Sequence, residues 1–503
     1  ISKHSPKSGI CRTCYSDRSG NHMLCLKVEI KACIIRGLVI PILYEFGNGP
    51  ITLHKRVSNF HDIAIIHGPP GTGKTTTVVE LIIQAIERGD KVFACAPSNT
   101  AVDNLLERLI AARQRVVRIG HPARVAEDLQ AYTLDGLVES HESTDVIQDM
   151  YRESEQLFAK ADKYTRGKPD RSYKQDLRAE AKRLRRDARE MERRAIAHVL
   201  ERADVICGTT AFNEDLIGDH EFDLLVIDEA CQSVEPGCWI PLARAEKVVL
   251  AGDQCQLPPT VLAVEAAREG FEVSLLERVN KIWGDQTTTL LTTQYRMHER
   301  IMDFSSRDFY DGQLIADPAV ARHQLSDLSG VATHELTTEP VRYFDTAGAG
   351  WDEELEPDGL SKRNPQEAAF IVHTAGQLLD AGVDPRDIAI IAPYAAQVRL
   401  IRRLTRGDDD LSDIEIGTVD GFQGREKEAV LISTVRSNLT GEVGFMADRR
   451  RMNVALTRAR RKLIVIGDSA TLGHHEFFRR LLDYFESIDA YGTVWETGFE
   501  MGE

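Results

Sequence analysis

Residues 68–75 read Gly-Pro-Pro-Gly-Thr-Gly-Lys-Thr, between the apolar run Ile63-Ala64-Ile65-Ile66 and a helical stretch from Thr76 to Arg88. In that setting the run is a phosphate-binding loop. The turn through Gly68, Pro69, Pro70, Gly71, Thr72 and Gly73 aims backbone N–H groups at one point and forms a nest for phosphate oxygens. Lys74 adds a point charge for the β/γ-phosphates, and the Thr75 hydroxyl is placed to hold Mg²⁺. Thr76 opens the helix, whose N-terminal dipole favours the same anion.

Two further segments carry the chemistry that a bound triphosphate needs. Phe222 to Gln232 reads FDLLVIDEACQ, a strand ending in two carboxylates. Asp228 can hold Mg²⁺ through its water shell, and Glu229 can polarise an attacking water. In Ala251 to Pro259, AGDQCQLPP, the Gln256 amide can hydrogen-bond a γ-phosphate or the attacking water. Such a contact lasts only while the third phosphate is present, so it can report nucleotide state. Two candidates stand out for an arginine that binds the developing charge as a fork, Arg296 in QYRMH (294–298) and Arg458 in NVALTRAR (453–460), the alternative for each being a solvated or salt-bridged surface group.

These groups need rigid elements behind them. The chain has 503 residues, 42% hydrophobic, enough for about two to four domains. From residue 61 onward, apolar runs alternate with helical stretches: Ile63–Ile66, Val92–Ala96, Val205–Cys207, Leu224–Ile227 and Val248–Ala251, then Ile388–Ala392, Ile414–Val419, Val430–Val435 and Leu463–Ile466. Continuous rather than alternating apolar runs indicate strands buried on both faces, hence α/β with parallel sheets, in two sets. Functional residues then belong just past strand C-termini. Residues 125–203 are charged and helical in pattern. Leu177, Ala181, Leu184, Ala188, Met191 and Ala195 form a seam, and Gly167-Lys168-Pro169-Asp170 breaks it from an earlier arm. Residues 139–160 hold six acids and two bases, and 177–194 eight bases and four acids, which predicts an antiparallel hairpin. That hairpin reads as a solvated charged element, or as one whose basic arm touches nucleic acid. Residues 321–366 read as a loop-rich insertion or rim.

The net charge of −16 argues mildly against nucleic-acid binding, but a groove needs only local basic residues. Cys95, Cys207, Cys231, Cys238 and Cys255 lie in or beside apolar segments and read as buried thiols of a reducing compartment. Cys11, Cys14, Cys25 and Cys33 begin as C-x2-C but lack ligand spacing in the second pair. Incidental thiols are the expected reading and zinc the alternative. No run of about 18 uncharged apolar residues suggests a membrane span, and no secretory signal is seen. A cytoplasmic location is expected, with the nucleus as the alternative.

The ordered set GPPGTGKT, CAPSNTAVDNL (95–105), VIDEACQ, AGDQCQLPP, QYRMH, VDGFQGREKEAV (419–430) and NVALTRAR resembles the motifs of superfamily 1 helicases. The resemblance is to the up-frameshift-like group and, within it, to the immunoglobulin-mu-binding helicases, and it covers residues 61 to about 490. It implies two tandem RecA-like domains with ATP and Mg²⁺ in the cleft between them, at 61–285 and 286–490. The hairpin 125–203 is then an insertion in the first, residues 1–60 a divergent or truncated N-terminal segment, and 491–503 a tail. It implies an ATP-dependent helicase or translocase moving 5′ to 3′ on single-stranded DNA or RNA; the sequence leaves the oligomeric state open, with a monomer the expectation. The alternative is a nucleic-acid-stimulated ATPase that remodels nucleoprotein without unwinding duplex. By the same resemblance, Tyr295 packs near the adenine and Glu426 near the ribose. Pro97, Ser98 and Asn99, with Thr209 and Thr210, contact the strand, and Pro393-Tyr394 and Arg436-Ser437-Asn438 are weaker second-domain contacts. Two departures stand out. Residues 1–83 contain no Gln to read the adenine, which puts base selectivity in question. Residues 1–60 are too short for the group's β-barrel and stalk, so strand separation is expected to be weaker than translocation.

Overall fold

The computed structural model describes residues 63–162, 171–357, 359, 361–407 and 409–499, with a two-residue strand pair at Ile34–Ile35 and Leu38–Val39. Cys11, Cys14, Cys25 and Cys33, the Gly167–Asp170 break and nearly all of the segment 1–60 lie outside these residues.

Every apolar run becomes a strand, in two parallel sheets. The first sheet contains β1 (Ile63–His67), β2 (Val92–Ala96), β3 (Val116–Arg118), β4 (Val205–Thr209), β5 (Phe222–Ile227), β6 (Ala245–Gly252) and β7 (Thr288–Leu290), in the order β3-β4-β2-β5-β6-β1-β7. Its two faces separate by residue parity. Ala64 and Ile66 of β1 pack under the helix Lys74–Glu87 through Val78, Leu81, Ile82 and Ala85, a helical i, i+3, i+4, i+7 stripe. Ile65 faces the other way, into the layer containing Leu275, Leu276 and Val279 of the helix Leu275–Trp283.

The second sheet contains β8 (Val341–Asp345), β9 (Ile388–Ala392), β10 (Glu415–Thr418), β11 (Lys427–Ser433), β12 (Ala459–Gly467) and β13 (Tyr491–Thr493), in the order β10-β9-β11-β12-β8-β13. The two sheets correct three expectations. Val341–Asp345, placed by sequence in a loop-rich rim, is an interior strand whose Tyr343 is wholly buried. Arg342 and Asp345 break its apolar run and hide it from a reading based on continuous hydrophobicity. Residues 288–290 pair with β1 and extend the first sheet past 285. Residues 491–493 close the second sheet inside the expected tail.

The hairpin is present as the helices Thr144–Asp162 and Arg171–Arg202. Asp162 pairs with Arg178 near the tip and Tyr151 with Glu192 nearer the base, so the arms are antiparallel. Ala181, Ala188 and Ala195 are the buried seam residues, and their small side chains let the arms approach until the Ser154 hydroxyl donates to the Ala181 carbonyl at 2.9 Å.

Candidate nucleotide cleft and strand-facing loops

The phosphate loop joins β1 to the helix Lys74–Glu87. Gly71 and Gly73 have φ of 76° and 75°, a left-handed conformation that a Cβ penalises. Lys74 Nζ donates to Asp228 Oδ1 at 2.5 Å and to Glu229 Oε1 at 2.8 Å, joining the loop to the end of β5. Burial alone would lower the lysine pKa, but the two carboxylates outweigh it and hold the group charged. The Thr75 hydroxyl donates to Asp228 Oδ2 at 3.3 Å. A hydroxyl and a carboxylate oxygen at this spacing are hard donors of the kind Mg²⁺ takes, so the pair fits the metal expected there. Glu229 sits at φ 52°, a sparse conformation for a residue with a side chain. Its second carboxylate oxygen accepts from Gln232 Nε2 at 2.9 Å. The strained backbone thus presents a carboxylate held from both sides.

The other wall comes from the second unit. The Tyr295 N–H donates to the Gly71 carbonyl at 2.8 Å, and a Cβ on Gly71 would stand 2.7 Å from Arg296 Cβ. Gly71 is therefore also required for the two walls to meet. Arg296 pairs through Nε with Glu426 and donates Nη1 to the Thr457 carbonyl at 3.0 Å. Burial pushes the Glu426 carboxyl up, but Arg296, Arg460 and Arg458 hold it below its ordinary value. Arg458 is buried, donating Nε to the Val454 carbonyl at 2.8 Å and Nη2 to Gln256 Oε1 at 3.4 Å. Burial and Arg296 pull its pKa down to about 9, against Glu426, Glu229 and Tyr310, which leaves a cation at neutral pH.

Between the walls lies a cavity of about 550 Å³. Gly68 through Thr76, Glu229, Gln256, Tyr295, Arg296, Glu426 and Arg458 all line it. Asp228 lies behind Lys74, only 2% exposed. A hollow of about 700 Å³ at the edge strand β10 contains none of these groups, so it is chemistry rather than volume that identifies the cleft. Sequence reasoning missed five lining residues: Asn104, Glu107, Arg108, Gln423 and Gly424. Arg108 Nη1 donates to the Thr76 hydroxyl at 3.1 Å. The i, i+3, i+4 spacing of Asn104, Glu107 and Arg108 on the helix Asn99–Ala111 was the available signal.

The strand-contact candidates of the first unit are brought together. They follow the adjacent strands β2 and β4, and the Thr210 N–H donates to the Ala96 carbonyl at 3.0 Å. Ser98 is exposed and caps the helix through the Ala101 N–H. Pro97, Asn99 and Thr209 are half-buried, with Asn99 accepting from Arg118. Thr210 is buried, which removes its side chain from the surface. In the second unit Arg436 departs from its expected role. It is 1% exposed, bonds Glu353 Oε2 at 2.6 Å and donates to the Tyr394 hydroxyl at 3.2 Å. Glu353 also accepts from the Ser437 N–H and Asn438 Nδ2. Arg436 therefore frames this loop from within.

Known proteins are similar to this chain across both units. Residues 51–264 and 271–470 each match a family model described as an AAA domain. The chain is 47% identical over 440 residues to DNA-binding protein SMUBP-2 of Mesocricetus auratus, covering 86% of this chain and 44% of that protein. It is 39% identical over 446 residues to DNA polymerase alpha-associated DNA helicase A of Schizosaccharomyces pombe, covering 87% and 66%. To an uncharacterized ATP-dependent helicase of Methanocaldococcus jannaschii it is 35% identical over 475 residues, covering 86% and 69%. The chain thus spans under half the length of the first of these and about two thirds of the others. With matches of this extent across both sheets, the chain belongs to the superfamily 1 helicases of the up-frameshift-like group.

Proposed function

We propose that this chain is an ATP-dependent nucleic-acid helicase or translocase, stepping 5′ to 3′ along single-stranded DNA or RNA. The observation that carries the reading is the division of one cavity between two sheets: the phosphate loop, Lys74 and Glu229 on one wall, Arg296 and Arg458 on the other. A triphosphate seated there would draw Lys74 from its carboxylates and share its charge with both arginines, which favours closure. Loss of the γ-phosphate removes the shared charge and favours opening. Thr75 and Asp228 would hold Mg²⁺, which supplies charge neutralisation to the phosphates. Glu229 accepts a proton from the attacking water, and the arginines stabilise the charge that develops. Tyr295 is placed for the base and Glu426 for the ribose. Pro97, Ser98, Asn99 and Thr209 supply a sequence-tolerant grip on the strand. The chain works in the cytoplasm or nucleus as a monomer.

The test is steady-state hydrolysis of ATP and GTP, with and without single-stranded DNA or RNA of equal length. Strand-stimulated ATP turnover is expected, and the DNA-to-RNA ratio identifies the substrate. Turnover that no strand stimulates would overturn the motor reading. Strand displacement on a tailed duplex then separates helicase from remodelling ATPase.

A further inference from the structure

Asp253, just past β6, is 1% exposed and lies where the two units meet. Its carboxylate accepts four hydrogen bonds. Oδ1 takes His67 Nε2 at 3.0 Å and the Cys255 N–H at 3.0 Å, and Oδ2 takes Gln256 Nε2 at 2.7 Å and the Tyr310 hydroxyl at 2.7 Å. Four donors on one buried carboxylate satisfy it fully and keep it ionised. An ionised carboxylate only accepts, which settles the direction of each bond. His67 carries its proton on Nε2, and its Nδ1 faces the Gln254 amide nitrogen at 3.4 Å. Tyr310 spends its one proton on Asp253, so Asn453 Nδ2, 2.9 Å from the hydroxyl, donates to it. Asn453 Nδ2 also donates to the Cys255 carbonyl at 2.8 Å.

The consequence falls on Gln256. With Nε2 committed to Asp253, the amide turns Oε1 toward the cleft, and that oxygen is the atom facing Arg458. Tyr310 follows the helix Glu299–Phe309 and packs in the second unit's core with Met297, Ile301 and Phe304. Asn453 lies on the helix Arg449–Leu456, to which Arg458 is tied through the Val454 carbonyl. Domain separation would therefore withdraw Tyr310 from Asp253 and Arg458 from Gln256 together.

We propose that Asp253 and Tyr310 are positioning residues that fix the Gln256 amide so that its carbonyl oxygen, not its NH2, faces the nucleotide, and that the Tyr310 hydroxyl makes this orientation depend on domain closure. Gln256 then acts as an acceptor, for a proton of the attacking water and for Arg458, rather than as a donor to the γ-phosphate. This rests on the ATPase reading above.

The test is made on the full chain by ATP turnover, with thermal melting as the fold control. Tyr310→Phe keeps the ring packing and removes one bond, and should lower kcat about tenfold with the ATP KM nearly unchanged. The decisive variant exchanges donor and acceptor. Gln256→Glu alone sets two carboxylates together and should be strongly impaired. Because Asp253 Oδ2 also takes the Tyr310 proton, the exchange is made on Tyr310→Phe, where Gln256→Glu with Asp253→Asn restores the bond with reversed polarity and still presents an acceptor oxygen to the cleft, so it should recover at least about tenfold over Gln256→Glu with Tyr310→Phe. A donor role for Gln256 predicts no recovery, and that result would overturn the assignment, as would an unchanged kcat in Tyr310→Phe. Absence of turnover in the unmodified chain defeats the ATPase reading itself, and so is distinguishable from both.

Discussion

The nucleotide cleft and the loop around Arg436 both pair cations with carboxylates, yet they differ in what the pairs can do. Lys74 holds Asp228 and Glu229, and Arg296 holds Glu426, along the walls of a cavity of about 550 Å³. A phosphate can enter that space and replace the carboxylates as partner. Arg436 and Glu353 make a pair of similar geometry whose side chains are 1% and 8% exposed. The Arg436 guanidinium is closed off from solvent and lines no part of the cleft, so this pair holds a shape. Exchangeable pairs serve binding and turnover, whereas enclosed pairs serve stability, because a partner lost from an enclosed pair leaves an uncompensated buried charge.

Lys74→Ala should lower ATP turnover by about a thousandfold or more, because charge stabilisation at the transferred phosphate is the largest catalytic term in such sites. Its melting temperature should move little, since Glu229 lines the cavity and Asp228 keeps the Thr75 hydroxyl and the Glu229 N–H as donors. Near-normal turnover would remove Lys74 from the site. Arg458→Ala should cut turnover by a comparable factor with nucleotide binding largely kept, measured by titration with a fluorescent ATP analogue. Collapse of the fold instead would place Arg458 with Arg436 on the structural side.

That boundary marks where sequence reasoning succeeds and where it stops. The phosphate loop is contiguous, and its strand and helix flank it directly, so the whole device is written in one stretch. Asp228 and Glu229 are legible for the same reason: they directly follow the unbroken apolar run Leu224–Ile227. Asp253 is different. Its partners His67 and Tyr310 lie 186 and 57 residues away, and only folding brings them to one carboxylate. Arg436 illustrates the opposite error. Its place in a recognisable motif suggested a strand contact, but burial by Glu353 and Tyr394 depends on a loop some eighty residues earlier. The same loop leads back to Val341–Asp345, whose charged residues concealed an interior strand. Local patterns specify local devices, whereas the burial of a charge is a property of the assembled fold.

Smaller effects sharpen the structural side. Arg436→Ala should destabilise the chain by about 2 kcal/mol, read as a lowered denaturation midpoint, because Glu353 and the Tyr394 hydroxyl lose a buried charged partner while Lys362, Ser437 and Asn438 still hold the carboxylate. Single-strand-stimulated turnover of the folded fraction should fall far less than in Lys74→Ala. If it fell as much, with stability unchanged, Arg436 would belong to the strand contact after all.

Glu367 offers the finest test. It is fully buried beneath the same loop and accepts from the Ser433 hydroxyl at 2.7 Å and the Val435 N–H at 3.0 Å. Val435 has φ 72°, a strained value for a β-branched residue, and that turn is what aims its N–H at Glu367. Burial pushes the Glu367 carboxyl up from 4.5 to about 7, with Asp468 adding to the shift and the hydrogen bonds from Val435, Ser433 and Thr434 opposing it. Below pH 4.5 both folded and unfolded chains hold the proton, and the contribution is fully present. Between 4.5 and about 7 the unfolded chain releases it while the folded chain keeps it, so stability falls as pH rises and levels off above the folded value. Glu367→Gln cannot ionise and should flatten this decline, whatever its absolute stability. Denaturation midpoints of both proteins across that interval give the comparison. Parallel profiles would mean that Glu367 is ionised throughout and that the loop is held by charge rather than by a neutral acid.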